Sequence, residues 1–522
     1  MKTLFYNGPI HTMTPAGTAE ALLMVDDRIT AVGTLHDLEA QAGECTRVDL
    51  RGRALLPGFI DPHSHFFQVA CAFLQVSLDG ADSVEEMTRR IHAFMQENLP
   101  APGAWVTARD YDNNIMPDLR HPTLTDLDRL CPDHPLVIHH KSGHMGLMNS
   151  LALQAVGVTN HTPDPEGGKF GRQDGQLTGY LEENAFFEAI KQIPMATPDD
   201  LLRGMEKAQE TYASYGITTL QDGMVVKEML PLYQLLRSKH ILKLDVMLYM
   251  GLDAWDDAAA LRFTPEEHLH AAGLKMFLDG SPQGRTAWMR QPYEGTPDYC
   301  GYGTMTDEAV QKAFEYAGEK GLQIIAHCNG DGAAEQFLRC LGAAEEKFPN
   351  LKTLRPVLIH GQLLGTDQLP RLRELGAMVS FFVAHTWHWG DVHLRNFGDR
   401  ALHISPAASA KRAGVPFTFH QDAPVIQPDM METVWCAVNR QTKGGAQLSQ
   451  DESVSVADAL RAITVEGAYQ YGLTDRIGTL EAGKQADLVI LSRDPMTAPK
   501  ETLREIRAEA TYKNGSCVYQ RG

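Results

Sequence analysis

The stretch Leu55-Leu56-Pro57-Gly58-Phe59-Ile60-Asp61-Pro62-His63-Ser64-His65 constrains this chain more than any other. An apolar run ends in Asp-Pro, and two histidines one residue apart follow it. The run predicts a buried strand of a parallel sheet. In a strand, side chains i and i+2 point the same way. His63 and His65 then aim their imidazoles at one point just past the strand's carboxyl end. Two convergent imidazoles favour a divalent transition metal. The plain alternative is a pair of interior histidines hydrogen-bonded to their surroundings.

The 522 residues are too many for one small domain and suit a large barrel with accessories. Apolar residues make up 43%, enough to bury a sizeable core, so disorder is not expected. The net charge of −19 has the wrong sign for a phosphate-binding surface, which sets nucleic acid aside. The cysteines Cys45, Cys71, Cys131, Cys300, Cys328, Cys340, Cys436 and Cys517 are scattered, with no Cys-x-x-Cys. That pattern suits reduced thiols in a cytoplasm better than a disulfide framework. The N-terminal residues Met1 to Gly8 turn polar before a signal-peptide core could form. No apolar run reaches membrane-spanning length. A small-molecule partner is therefore expected, with no membrane partner; self-association as a homodimer is left open.

Both ends of the chain read as short strands. Ala21–Val25 and Ile29–Val32 flank Asp26-Asp27-Arg28, a hairpin signal. Ala510–Lys513 and Ser516–Tyr519 flank Asn514-Gly515, a favoured two-residue turn. Residues 1–54 and 476–522 are therefore expected to form one small composite β-domain, a β-sandwich built from both termini. Between the His-x-His strand and the next regular strand lie roughly 150 residues, far more than a barrel connection needs. An inserted subdomain over about 67–196 is expected there, covering the barrel mouth and choosing the substrate. It opens with a helix capped by Ser83, with Glu86 completing a capping box and Pro100 stopping it. From Ile217 onward strands and helices alternate, with strands ending near Asp222, Met250, Gly280, His327, His360, Phe382 and Asp422. With the His-x-His strand the count is eight, so residues 55–475 are expected to fold as an α/β (β/α)8 TIM-like barrel.

A barrel enzyme works at the carboxyl ends of its strands. His327, His360 and Asp422 end strands five, six and eight. Each alone is more often only a loop start. With His63 and His65 they make four imidazoles and a carboxylate facing one mouth. Lys275 lies inside the apolar run of strand four, where a bare ammonium is costly to bury.

These pieces resemble the amidohydrolase superfamily, metal-dependent hydrolases on a (β/α)8 barrel. More closely, the chain is similar to the YtcJ-like (amidohydrolase 3) subgroup over nearly its whole length. The resemblance rests on Pro57-Gly58-Phe59-Ile60-Asp61-Pro62-His63-Ser64-His65, Gly143-His144 with Asn149-Ser150-Leu151-Ala152-Leu153, and Thr178-Gly179-Tyr180-Leu181-Glu182-Glu183. It continues through Lys275 with Asp279-Gly280-Ser281, Thr286-Ala287, Pro292-Tyr293, Ala326-His327 with Gly330-Asp331, and Asp422-Ala423-Pro424-Val425. Gly478 to Leu488 looks like the segment by which such chains leave the barrel and re-enter the β-domain. Two stretches depart from the pattern. His420-Gln421-Asp422 stands where a Gly-Ser-Asp type sequence is usual, and His385-Thr386-Trp387-His388-Trp389-Gly390 is unusually rich in His and Trp.

The resemblance implies that His63, His65, Lys275, His327, His360 and Asp422 hold one or two divalent ions, Zn above others. It implies a CO2-derived carbamate on Lys275 that bridges them; Glu183 is the alternative bridging ligand. The implied reaction is hydrolysis of a non-peptide C–N bond, in an amide, formamide or cyclic amide, by a metal-activated hydroxide. Asp422 is then ligand and base, and His144 polarises the carbonyl or merely supports the insert. Asp279 and Asp331 are expected to hydrogen-bond the ligands rather than to ligate. His385, Trp387 and His388 are expected to shape a substrate pocket, and His139, His140, His385 and His388 either line it or are ordinary histidines. An esterase or lactonase using the same site, and a scaffold that has lost its chemistry, remain as alternatives.

Overall fold

The computed structural model describes residues 2–116, 119–141, 145–194 and 196–522. They divide into two compact units, Met1–Phe67 with Ala208–Gly522, and Gln68–Lys207.

The first unit holds two eight-stranded sheets. One is wholly parallel and runs in chain order: Phe59–Ile60, Ile217–Val225, Asp245–Met250, Leu269–Phe277, Gln323–Cys328, Val357–His360, Met378–Phe381 and Phe417–Phe419. These are called the first to eighth strands below. Asp245–Met250 and Val357–His360 are buried at every residue, as strands covered on both faces must be. Ile60, Met247, Tyr249, Ile325, Val357, Ile359 and Met378 pack together as one apolar cluster. The register sets Phe277 beside His327, Cys328 beside His360, and His360 beside Phe381. The carboxyl ends of strands four to seven therefore stand at one level. The two edges of the sheet also meet there: the His65 N–H donates to the Ala423 carbonyl at 2.9 Å.

The structure corrects the expectation for the run that opens the His-x-His segment. Ala54–Pro57 belongs to the other sheet, where it pairs antiparallel with Leu488–Leu491. Only Phe59–Ile60 joins the parallel sheet. The chain changes sheets at Gly58, where a Cβ would lie 2.4 Å from Thr218 Cγ2. His63 and His65 are not strand residues in register; they follow Pro62, which has no N–H to continue a ladder.

The second sheet draws on both termini. Its order is Ser516–Gln520, Ala508–Lys513, Leu488–Leu491, Ala54–Pro57, Lys2–His11, Thr18–Val25 and Arg28–Gly33, with Thr46–Asp49 also paired to Lys2–His11. These strands form one connected sheet rather than two separate ones. Val25 pairs with Arg28 across Asp26-Asp27, and Lys513 with Ser516 across Asn514-Gly515. Asn514 and Gly515 have φ of 48° and 72°, the left-handed pair that a type I′ hairpin turn requires.

A buried lysine ties the two sheets. Lys513 Nζ lies 2.7 Å from both Asp245 Oδ2, at the start of the third strand, and Asp487 Oδ2, before Leu488–Leu491. Burial pushes the carboxyl of Asp245 up, but Lys513, His268 and His270 together hold it well below its ordinary range. Asp487 is raised, because burial and the charge of Asp245 outweigh its share of Lys513.

The second unit is built on a six-stranded sheet in the order Gly168–Gln173, Gln176–Glu183, Met145–Met148, Leu136–His140, Val106–Tyr111, Val76–Ser77. Its helix Val84–Asn98 is capped by Ser83, which accepts from the Glu86 N–H. Glu86 does not complete a capping box; its carboxylate turns to Arg89 and Arg90 instead, at 2.7 and 2.6 Å. Among the described residues no helix is long and apolar enough to cross a membrane.

Removing the lysine should leave Asp487 buried without a cation and Asp245 with only its histidine neighbours. Lys513→Met is expected to cost about 3–5 kcal/mol, read from urea unfolding at neutral pH. A loss below about 1 kcal/mol would mean the joint between the sheets does not depend on this ion pair.

Candidate metal centre

Six of the residues named above are brought together at the carboxyl ends of the parallel strands. His63 and His65 follow the first strand, Lys275 lies near the end of the fourth, and His327 is the next-to-last residue of the fifth. His360 ends the sixth, and Asp422 follows the eighth. His360 and Asp422 both have positive φ, 77° and 56°, a conformation that costs a non-glycine residue and is held where the surroundings enforce it.

Their donor atoms converge. His63 Nε2 lies 3.3 Å from Lys275 Nζ and 3.4 Å from Asp422 Oδ1, and His65 Nε2 lies 3.2 Å from the same oxygen. His360 Nε2 is 3.1 Å from His327 Nδ1. His63, His360 and Asp422 each offer an atom within 4.8 Å of the others. Nitrogen and oxygen atoms on one tetrahedral ion with bonds of about 2.0 Å stand about 3.3 Å apart, so these spacings suit a shared cation. Asp422 Oδ1 points the same way. It is buried and accepts no well-formed hydrogen bond, although two imidazole nitrogens stand beside it. A buried acceptor without a donor is costly unless something else takes its lone pair.

The protonation states agree. Burial drives His63 and His360 well below the ordinary imidazole range, helped by the charge of Lys275 on His63 and by His327 on His360. Burial, with Lys275 adding, brings His327 down to about 4. These rings are neutral at pH 7, the form that has a lone pair to give. Burial would raise Asp422, but His65 above all, its Nε2 3.2 Å away, holds it well below the carboxylate range. Lys275 is brought down to about 7 by burial, against the pull of Asp422. A substantial fraction of this amine is therefore neutral near pH 7.

Behind the donors stands a layer that sequence reasoning missed. His63 Nδ1 lies 2.6 Å from Gln221 Oε1, in the second strand. The Gln221 amide nitrogen donates to the Pro62 carbonyl and to Tyr471, so its oxygen faces the ring and can only accept. His63 must then carry its proton on Nδ1, which leaves Nε2 bare toward Asp422 and Lys275. His420 is also in the cluster, with Nε2 3.1 Å from His360 Nδ1 and Nδ1 2.8 Å from Ser380 Oγ. Its signal was in the sequence as the unusual residue two before Asp422; Gln221 had no signal beyond standing near the end of a strand.

Asp279 Oδ1 lies 3.7 Å from His327 Nε2. Its carboxylate accepts the N–H groups of Asn329, Trp288 and Gly330 at 2.8–3.0 Å, and burial nonetheless pushes it up to about 7. Asp331 instead pairs with Arg290 at 3.0 Å, and Arg290 also grips Asp367. Trp387 is half-buried. Trp387 and Trp435 meet edge-to-face, and the guanidinium of Arg504 lies against both, 4.7 and 4.4 Å from the two rings, because a delocalised cation packs well on indole. His388 pairs with Glu432 at 2.7 Å, and the buried His385 bonds His393 at 3.0 Å and packs on Phe382 and Trp389.

Within the second unit, His139 packs on Phe186 and His140 bonds Asn113. Glu183 lies there too, exposed, at φ 50° before the helix Asn184–Ile190. His144 lies outside the described residues.

A family model described as the amidohydrolase family matches residues 46–519. An N-substituted formamide deformylase of Arthrobacter pascens is 29% identical over 526 aligned residues, covering 96% of this chain and 95% of that protein. The putative amidohydrolase YtcJ of Bacillus subtilis is 26% identical, with both chains covered in full. A solved metal-dependent hydrolase of Pyrococcus horikoshii OT3 superposes with a TM-score of 0.78 at 26% identity, over 96% of this chain and 99% of its own.

If His63 and His65 hold an ion, changing both to alanine should strip at least one equivalent of transition metal from the purified protein. Elemental analysis against wild type checks this; an undiminished metal content would remove these two residues from the ligand set.

Proposed function

The chain belongs to the amidohydrolase family, and from that premise we propose that it is a metal-dependent hydrolase of a non-peptide C–N bond in a small molecule. An amide, a formamide or a cyclic amide is the substrate class. The observation that carries the proposal is the convergence of His63, His65, Lys275, His327, His360 and Asp422, with Asp422 Oδ1 left without a donor. The N-substituted formamide deformylase relative supports a C–N bond as the target. The eight parallel strands, joined at their edges through His65 and Ala423, support a closed (β/α)8 barrel with the site at its carboxyl end.

His63, His65 and Asp422 would hold one ion, and His327 and His360 a second, with Lys275 beside His63. The nitrogen-rich set favours Zn. A bound ion of this kind supplies Lewis acidity, lowering the pKa of water and polarising a carbonyl. The chain's own residues handle the protons. Asp422, kept ionised by its neighbours, takes the proton of the attacking water and passes it to the leaving nitrogen. Gln221 keeps the proton of His63 on Nδ1, so that Nε2 remains a donor. The neutral amine of Lys275 attacks CO2: an N–C bond forms, the amine proton leaves to solvent, and a carbamate anion remains. Carboxylation would exchange a buried ammonium for an oxygen donor beside His63. The eight free cysteines support a reducing, cytoplasmic setting.

A matched panel of amides, formamides and esters, offered to the metal-loaded enzyme, tests the reaction class. Faster turnover of the C–N substrates is expected, and activity confined to esters would overturn the proposal. Asp422→Asn should stay folded and lose about 10²–10⁴-fold in kcat. A variant within about threefold of wild type would show that Asp422 is not the proton carrier.

Lys275→Ala should lose metal and activity together, and short carboxylates added with metal should restore part of both. A fully metal-loaded, active crystal with a bare Lys275 amine and Glu183 on the metal would falsify the carbamate.

A further inference from the structure

We infer that His420 is a positioning residue for His360: backed by Ser380, it keeps the His360 proton on Nδ1 and so leaves Nε2 free for a metal ion. The inference rests on the metal-site reading above.

Both nitrogens of His360 face another imidazole. Nε2 lies 3.1 Å from His327 Nδ1, and Nδ1 lies 3.1 Å from His420 Nε2. A neutral imidazole has one proton, so His360 exists in two forms. With the proton on Nε2 it bonds His327 directly, and neither of the two facing nitrogens is left for an ion. With the proton on Nδ1, both Nε2 of His360 and Nδ1 of His327 present lone pairs to the same point. The second form needs a buried acceptor on the far side of the ring. His420 Nε2 is that acceptor. To accept there, His420 must carry its own proton on Nδ1, 2.8 Å from Ser380 Oγ, and a hydroxyl oxygen takes it.

The three residues come from adjacent places on the sheet. His360 ends the sixth strand, Ser380 is in the seventh, and His420 follows the eighth. All three are buried, so water does not replace a missing partner cheaply. Phe382 and His63 pack against the His420 ring at 5.3 and 5.2 Å and keep it in place. At His63 a glutamine dictates the tautomer outright; at His360 the choice passes through two further side chains.

Metal-free wild type, His420→Ala, His420→Gln and Ser380→Ala, each checked for an unchanged melting transition, are titrated with Zn against a chromophoric chelator, and with Co(II) for its visible spectrum. His420→Ala should weaken one ion by about 10–100-fold and spare the other, as loss of an outer partner of a ligating histidine does. His420→Gln, whose amide oxygen accepts the same N–H, should recover most of that affinity and the wild-type Co(II) spectrum. Should His420→Ala fail to fold, Ser380→Ala carries the same test, with a smaller loss at the same ion expected and an unchanged affinity overturning the inference. Two full-affinity ions in His420→Ala, or a glutamine variant no better than alanine, would also overturn it. Wild type that binds no ion would instead overturn the metal-site reading, so the two failures are distinct.

Discussion

Everything at the carboxyl end of the parallel sheet answers to one constraint: several neutral imidazoles and an ionised carboxylate are buried against one another with their acceptor atoms inward. Acceptors do not bond acceptors, and each is costly to bury alone. Asp422 Oδ1 and Nε2 of His63 and His360 are held at spacings that suit one or two shared cations better than they suit each other. The strand register brings the ends of strands four to seven level, and His360 and Asp422 both take positive φ at their places there.

That inner group depends on an outer one. Gln221 decides which nitrogen of His63 carries the proton, the His420–Ser380 pair offers His360 a buried partner on the far side of its ring, and Asp279 gathers three backbone N–H groups of the loops after strands four and five. These contacts are hydrogen bonds in a place with little water, where orientation is worth more than at a surface. Further out, Lys513 joins the terminal sheet to the third strand by the same logic, one buried cation against two carboxylates.

Much of this is legible in the sequence. The ends of strands five, six and eight can be read as apolar runs closing on His327, His360 and Asp422, and Lys275 stands out as a lysine in an apolar run. The hairpins at Asp26-Asp27 and Asn514-Gly515 are local turn chemistry and carry their own signal. Other features are not legible, because side chains compete for partners or the partners are distant. Glu86 has the spacing of a capping box, yet two arginines three and four residues further along the helix compete for it and win. The packing of Arg504 on Trp387 has no signal in the sequence, because the two lie far apart along the chain.

The sequence alone determined which chemical groups are available and roughly where each strand ends, because side-chain type and two-residue periodicity are local properties. The tertiary structure decided what those groups do. It sent Leu55 and Leu56 to the terminal sheet and Phe59 to the parallel one, since the pairing partners Leu488–Leu491 and Ile217–Thr219 lie far along the chain. It also made His420 and Gln221 part of the centre. A tautomer is chosen by the atom on the far side of a ring, and no spacing in the sequence says which atom that will be.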